Sequence, residues 1–132
     1  MTRFSITLEE GVDFVLKCFS NMWGGEIFVP KIPSYNIVDV AKAIASNAKL
    51  KIIGIRPGEK LHEEMITETD AINCVEFDGY YVILPSIQFW SKRDFIQNSS
   101  GKKGIACPEG FSYDSGKNNS FLSVSELELL IE

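Results

Sequence analysis

A proline near the middle of the chain sets the tightest local limit on how it can fold. Pro57 lies in Arg56-Pro57-Gly58-Glu59-Lys60, after the apolar run of residues 50–55 and before Leu61-His62-Glu63-Glu64-Met65-Ile66. Its ring presets φ for a turn and bars a strand from continuing, and Gly58 lets the backbone bend tightly or approach a ligand closely. The spacing therefore predicts a strand over residues 50–55, a turn, and a short helix over residues 61–66. The turn brings a cation and an anion together. Arg56 offers a planar fork of donors suited to phosphate, and Glu59 an acceptor suited to sugar or ribose hydroxyls. From this pentapeptide alone, a surface turn with an ion pair in it is the simpler account.

Around that turn, helix and strand signals alternate. Thr2 to Ile6 alternates like an extended segment, with no sheet partner nearby in sequence. Thr7-Leu8-Glu9-Glu10 fits a capping box. Leu8, Val12, Val15, Leu16 and Phe19 then fall at helical spacing on one face, predicting a core-facing stripe that stops at Gly24-Gly25. Glu26 to Val29 is a short β-rich run closed by Pro30, and Pro30 and Pro33 mark a loop. Asn36 is placed to cap a second helix with the stripe Ile37, Val40, Ala41 and Ile44. The alternation points to an α/β arrangement, with parallel pairing of the strands before residues 30 and 55.

Beyond Thr67 the pattern changes. Asp78-Gly79 between two apolar runs predicts a hairpin with a tight primed turn. Residues 85–120 lose periodicity and read as loop, with weak strand around residues 87–90. Ser123-Val124-Ser125-Glu126 then opens a short final helix carrying Leu127, Leu130 and Ile131. We accordingly divide the chain into an α/β portion, residues 1–84, and an irregular extension, residues 85–132.

Composition bounds function by exclusion. At 132 residues, 45% hydrophobic and 23% charged, the chain is ordinary globular material. Thirteen basic against eighteen acidic residues leave a net charge of -5, which argues against broad nucleic-acid or anionic-membrane binding. No apolar run reaches the length of a membrane span, and the first residues lack a signal peptide's apolar core, so a cytoplasmic chain is expected. Cys18, Cys74 and Cys107 have no paired spacing, so neither a disulfide framework nor a zinc site is expected, and Cys18 reads as a core thiol. His62 reads as a helix-surface residue rather than a ligand or base. Trp23, Trp90 and the phenylalanines read as packing. There is no G-x-G-x-x-G fingerprint and no Tyr-x-x-x-Lys pair.

Three long blocks carry a family resemblance: residues 1–12, residues 24–34 from Gly24-Gly25-Glu26 to Ile32-Pro33-Ser34, and residues 52–63 from Ile52 to Glu63. Together they resemble the C-terminal part of the inverting UDP-N-acetylglucosamine 4,6-dehydratases. These are lyases of the extended short-chain dehydrogenase/reductase superfamily that act in pseudaminic acid and capsular polysaccharide synthesis. Tyr113, Ser115, Asn118, Asn119 and Leu122 echo the family's ending more loosely.

The resemblance implies a substrate-binding part of such a fold without its Rossmann half. It implies that NADP and the catalytic residues belong to that other half, leaving this chain no cofactor of its own, and that Met1 matches an internal methionine of the family. A truncated gene, a split gene or an excised domain would each give such a chain. The reaction implied is oxidation of the sugar at C4, loss of water across C5 and C6, and return of hydride to C6 with inversion at C5. By the same resemblance Arg3, Arg56 and Glu59 contact the diphosphate and nucleoside of a UDP-sugar. Ser5 departs from the aromatic residue usual at its position, which would loosen the first strand. A non-catalytic remnant or partner-binding module, with a Rossmann half or a second copy as partner, is the competing expectation. Apolar surface left uncovered would distinguish it.

Overall fold

A computed structural model describes residues 1–87 and 96–131. The chain divides into two compact units, each assembled from segments distant in sequence: residues 1–5, 32–64 and 113–132, and residues 6–31 and 65–112.

In the first unit, strand β1 (Thr2–Phe4) pairs antiparallel with β3 (Ser34–Asn36), in the register Thr2 opposite Asn36 and Phe4 opposite Ser34. The Ser5 amide donates to Pro33 O at 2.8 Å, so backbone pairing runs one residue past the strand despite the missing aromatic. Helix α2 (Ile37–Ile44) packs against α4 (Val124–Ile131). Asn36 occupies the N-cap of α2, but its side chain makes no capping bond. Ser123 and Glu126 close the expected box at α4, each accepting from the other's backbone N–H. The buried residues here are mostly polar or amphipathic: Thr2, Ser34, Tyr113, Ser115 and Leu127. Hydrogen bonds hold them. Tyr113 OH donates to Ile32 O and accepts from Ile32 N, both at 3.0 Å, and its ring lies 4.9 Å from Phe4.

The second unit is built on one antiparallel sheet in the order β2 (Ile27–Pro30), β6 (Tyr80–Ile83), β5 (Cys74–Phe77), β7 (Ile105–Ala106). Strands β5 and β6 form the expected hairpin, and Phe77 stacks on Tyr80 at 5.1 Å. Gly79 has φ +81°, but among the described residues no non-glycine has positive φ, so Asp78 does not complete a type I′ turn. Val75, Phe77, Tyr80, Val82 and Leu84 form the core, with Phe14 and Phe28 packed against it. The short helix α3 (Glu68–Ala71) is capped by Thr67 and Asp70.

Helix α1 (Leu8–Asn21) starts at the Thr7–Glu10 capping box and ends before the glycine pair. Its orientation reverses the expectation. Gly11, Phe14, Cys18 and Asn21 are its less exposed positions, whereas Leu8, Val12, Val15, Leu16 and Phe19 all face outward, Leu8 at 80% exposure. Leu8, Val12, Val15 and Leu16, with Ile6, line an apolar groove of about 480 Å³. Cys18 is half-buried rather than a core thiol. Trp23 is partly exposed and donates from its indole N–H to Gln97 O at 3.0 Å.

Three further expectations are corrected. Residues 50–55 form no strand, and Ile52 is 96% exposed. A strand needs a neighbour for its backbone groups, and no described strand pairs with this run. The parallel pairing expected with residues 27–30 is absent for the same reason: β2 is antiparallel to β6. Residues 61–66 are not helical, since the chain bends at Leu61-His62 and continues as strand β4 (Glu64–Ile66), which removes the helix on whose surface His62 was placed. The described part of residues 85–120 contains two short strands, β7 and β8 (Tyr113–Asp114), within largely irregular chain. The weak strand expected around residues 87–90, and the packing expected of Trp90, fall beyond Ile87 and outside the described residues. The mixed helix-and-sheet class stands.

Candidate functional site

The first unit carries every residue singled out for ligand binding. Strand β1 alternates its side chains, so Thr2 turns inward and Arg3 outward. Thr2 Oγ1 lies 2.8 Å from His62 Nδ1 and 2.7 Å from Ser115 Oγ. Ser115 Oγ accepts from Glu63 N at 2.8 Å, and Ser115 N donates to Glu63 O at 2.8 Å. Ser115 is fully buried, so its hydroxyl and these partners form a closed polar network inside the unit.

Arg3 secures the same segment from outside. Its Nη1 donates to Thr2 O at 2.7 Å and Leu61 O at 3.4 Å, its Nη2 to Lys60 O at 3.2 Å, and its Nε lies 3.5 Å from Glu63 Oε1. Thr2 N donates to Leu61 O, and Phe4 N to Glu63 Oε2, both at 2.9 Å. Residues 60–63 are thus strapped to β1 without regular structure of their own. A guanidinium has five N–H donors, and these contacts leave one on Nη2.

The turn that opened the sequence reading hangs from this strap. Glu59 N donates to Arg56 O at 3.1 Å, and the Glu59 carboxylate accepts from Arg56 N at 3.2 Å. The expected anion and cation are therefore coupled through the backbone, with no side-chain ion pair between them. The Arg56 guanidinium is exposed and bonds to no described residue. It is free to meet an anion.

Next to the strap lies a cavity of about 340 Å³, lined by Lys60, His62, Glu64, Asp114, Gly116 and Lys117. Its size suits a small ligand, but its walls are more charged than is usual for an apolar pocket. Asp114 Oδ1 accepts from Gly116 N at 2.8 Å and Lys117 N at 2.9 Å, and Oδ2 lies 3.7 Å from Lys117 Nζ. Gly116 is required by close approach, because a Cβ there would meet His62 Nδ1 at 2.5 Å. Sequence reasoning passed over Thr2, Lys60, His62, Glu63 and Lys117. The Asp-Ser-Gly-Lys turn composition at residues 114–117 is a local signal that could have pointed toward the cavity.

The N-terminus of α1 is not open to the dinucleotide that the resemblance implies. A pyrophosphate seeks unsatisfied N–H groups at a helix N-terminus. At α1 the Thr7 and Glu10 side chains already engage each other's N–H groups, and Glu9 and Glu10 place carboxylates in the first turn. Among the described residues, no group of three His, Cys, Asp or Glu could hold a metal ion, and no helix is long and apolar enough to cross a membrane.

Comparison with known proteins bears on the whole chain. The family profile described as "Polysaccharide biosynthesis protein" matches residues 1–85. The chain is 55% identical, over 96% of its length, to UDP-N-acetylglucosamine 4,6-dehydratase (inverting) of Campylobacter jejuni. It is 31% identical over 100% of its length to UDP-glucose 4-epimerase of Rickettsia akari. It spans 38% of the first of these relatives and 39% of the second. Among solved structures, Pen from Bacillus thuringiensis matches 99% of this chain and 37% of its own, with TM-score 0.71 and 24% identity, a likeness of fold.

Proposed function

Because the chain belongs to the polysaccharide biosynthesis protein family, we propose that it is the UDP-sugar-binding portion of a nucleotide-sugar 4,6-dehydratase, with UDP-N-acetylglucosamine as ligand. The observation that carries this reading is the 55% identity to the Campylobacter jejuni dehydratase over nearly the whole chain. Arg56 meets the diphosphate, Glu59 turns from its own backbone to a ribose hydroxyl, and Arg3 holds residues 60–63 in place and offers its remaining donor. The chain binds and orients substrate, while cofactor and proton transfer belong to the rest of the enzyme. A cytoplasmic location accompanies this reading.

Calorimetric titration of UDP tests it, with the chain alone and joined to the remainder of such a dehydratase. A charge-assisted hydrogen bond contributes roughly 1.5–3 kcal/mol, so Arg56→Ala should weaken binding by about one to two decades. Glu59→Gln should cost less, since an amide oxygen still accepts, and its effect should depend less on salt. Equal affinity for wild type and both variants, where UDP does bind, would return the pair to a surface turn. The chain alone should produce no 4-keto-6-deoxy sugar from UDP-N-acetylglucosamine and NADP.

The outward apolar face of α1 favours a second reading, a partner-binding module. A Rossmann half or a second copy of the chain would cover that face. Sedimentation of wild type against Leu16→Glu/Phe19→Glu tests the second copy: concentration-dependent association lost in the variant supports it, and a wild type that stays monomeric at all concentrations removes it.

A further inference from the structure

Thirty-three positions apart in sequence, Cys74 and Cys107 meet at one rung of the second unit's sheet. Strands β5 and β7 pair Glu76 with Ile105 and Val75 with Ala106, so the next rung sets Cys74 opposite Cys107. Cys107 N donates to Cys74 O at 2.9 Å. Residues opposed in this way have Cα atoms about 5.5 Å apart and project their side chains to the same face. That separation falls inside the window a disulfide spans, roughly 4.4–6.8 Å. The two thiols lie close enough to influence each other's ionisation, and both are free. The spacing in sequence does not show this juxtaposition, which needs the β5–β7 register.

The two thiols differ in access. Cys74 is buried, whereas Cys107 is half-buried and faces the Lys31 ammonium and the Glu76 carboxylate. Burial raises both thiols above their ordinary pKa. At Cys107 the Cys74 thiol and Lys31 oppose the rise, while Glu76 adds to it. Cys107 is thus the thiol an external reagent reaches first, and Cys74 the one placed to resolve the adduct.

We propose that Cys74 and Cys107 form a reversible dithiol–disulfide site that exchanges with small-molecule disulfides and, when closed, ties β7 to β5. The Cys107 thiolate attacks one sulfur of the small disulfide, whose S–S bond breaks and whose other sulfur leaves as a thiolate and takes up a proton. The Cys74 thiolate then attacks Cys107 Sγ, forming the intramolecular bond and expelling the second small thiol. Two electrons and two protons pass from the protein to the small disulfide, giving two small thiols.

The test uses the intact chain in mildly alkaline glutathione buffers of increasing oxidised fraction, followed by acid quench, alkylation and mass measurement. The expected product is lighter by two hydrogens, loses two of its three alkylation sites, and yields one cross-linked peptide joining Cys74 to Cys107. Dithiothreitol should reverse it. Cys18→Ser should leave the reaction intact, and Cys107→Ser should abolish it. Cys107→Ser, at a half-buried position, also serves as the folded control, with far-UV circular dichroism matching wild type. Alkylation of all three thiols at every buffer ratio would overturn the proposal, as would a glutathione adduct that persists on Cys107 or a cross-link that includes Cys18.

Discussion

Residues 50–55 and the β5–β6 hairpin are both short apolar runs beside a turn, yet one lies bare and the other forms the core. In the hairpin, Gly79 lets the chain reverse so that Val75 and Val82 become each other's neighbours, and the β5 backbone groups that face β6 gain partners just across the turn. After residues 50–55 the chain also turns, at Pro57-Gly58, but the segment beyond is drawn to β1 by Arg3, Thr2 and Ser115 rather than back along the run. Apolar composition supplies the same drive in both places. What differs is whether the turn returns a partner, and an apolar run without one stays exposed.

The largest expected effect is at the hairpin. Phe77→Ala removes a ring stacked on Tyr80 in the core and should cost about 3–5 kcal/mol in denaturant unfolding. A cost below about 1 kcal/mol would mean that this core contributes no more than the bare run.

Ser115→Ala should cost about 1–3 kcal/mol, because it leaves the buried Glu63 N–H unpaired and loosens the strap that diverts the chain away from residues 50–55. Thermal unfolding checks it, and a neutral outcome would remove the strap from the explanation.

Alkali should separate the two regions next. Cys74 has its thiol raised well above the ordinary 9.0 by burial first and then by Cys107, and burial raises Tyr80 above 10.0. A folded pKa above the unfolded one means that the stabilising contribution is complete below the unfolded value and is lost as pH rises through the folded value. Unfolding midpoints should therefore hold to about pH 9 and fall beyond it, with a shallower fall in Cys74→Ala. An unchanged slope in that variant would show that the buried thiol does not contribute.

The smallest effect belongs to the bare run. Ile52→Ser should change the stability of the isolated chain by no more than about 0.5 kcal/mol. A larger loss would show that residues 50–55 are covered in solution and would break the comparison.

Local signals proved legible at three places where the deciding contacts span a few residues. The Thr7–Glu10 and Ser123–Glu126 boxes and the hairpin at Asp78-Gly79 were each readable, because their donors and acceptors lie within four positions. The face of α1 was not. Periodicity shows that a stripe of Leu8, Val12, Val15, Leu16 and Phe19 exists, but which side meets the sheet depends on Phe14 finding the core. Within the site, the backbone bond between Arg56 and Glu59 is local, whereas the link of Thr2 with His62 and Ser115 joins three remote segments and leaves no spacing to read.

By itself the sequence determined where α1, α2 and α4 begin, where one hairpin turns, and through three long blocks which family the chain resembles, since these depend on neighbours in the chain or on residue identity. Only the tertiary structure decided which apolar residues are covered, that residues 60–63 are held as a strap, and that Cys74 meets Cys107 across a sheet. Those outcomes depend on backbone and side-chain partners brought from far along the chain, and such a partner is specified only once the register of a sheet or the path of a loop exists.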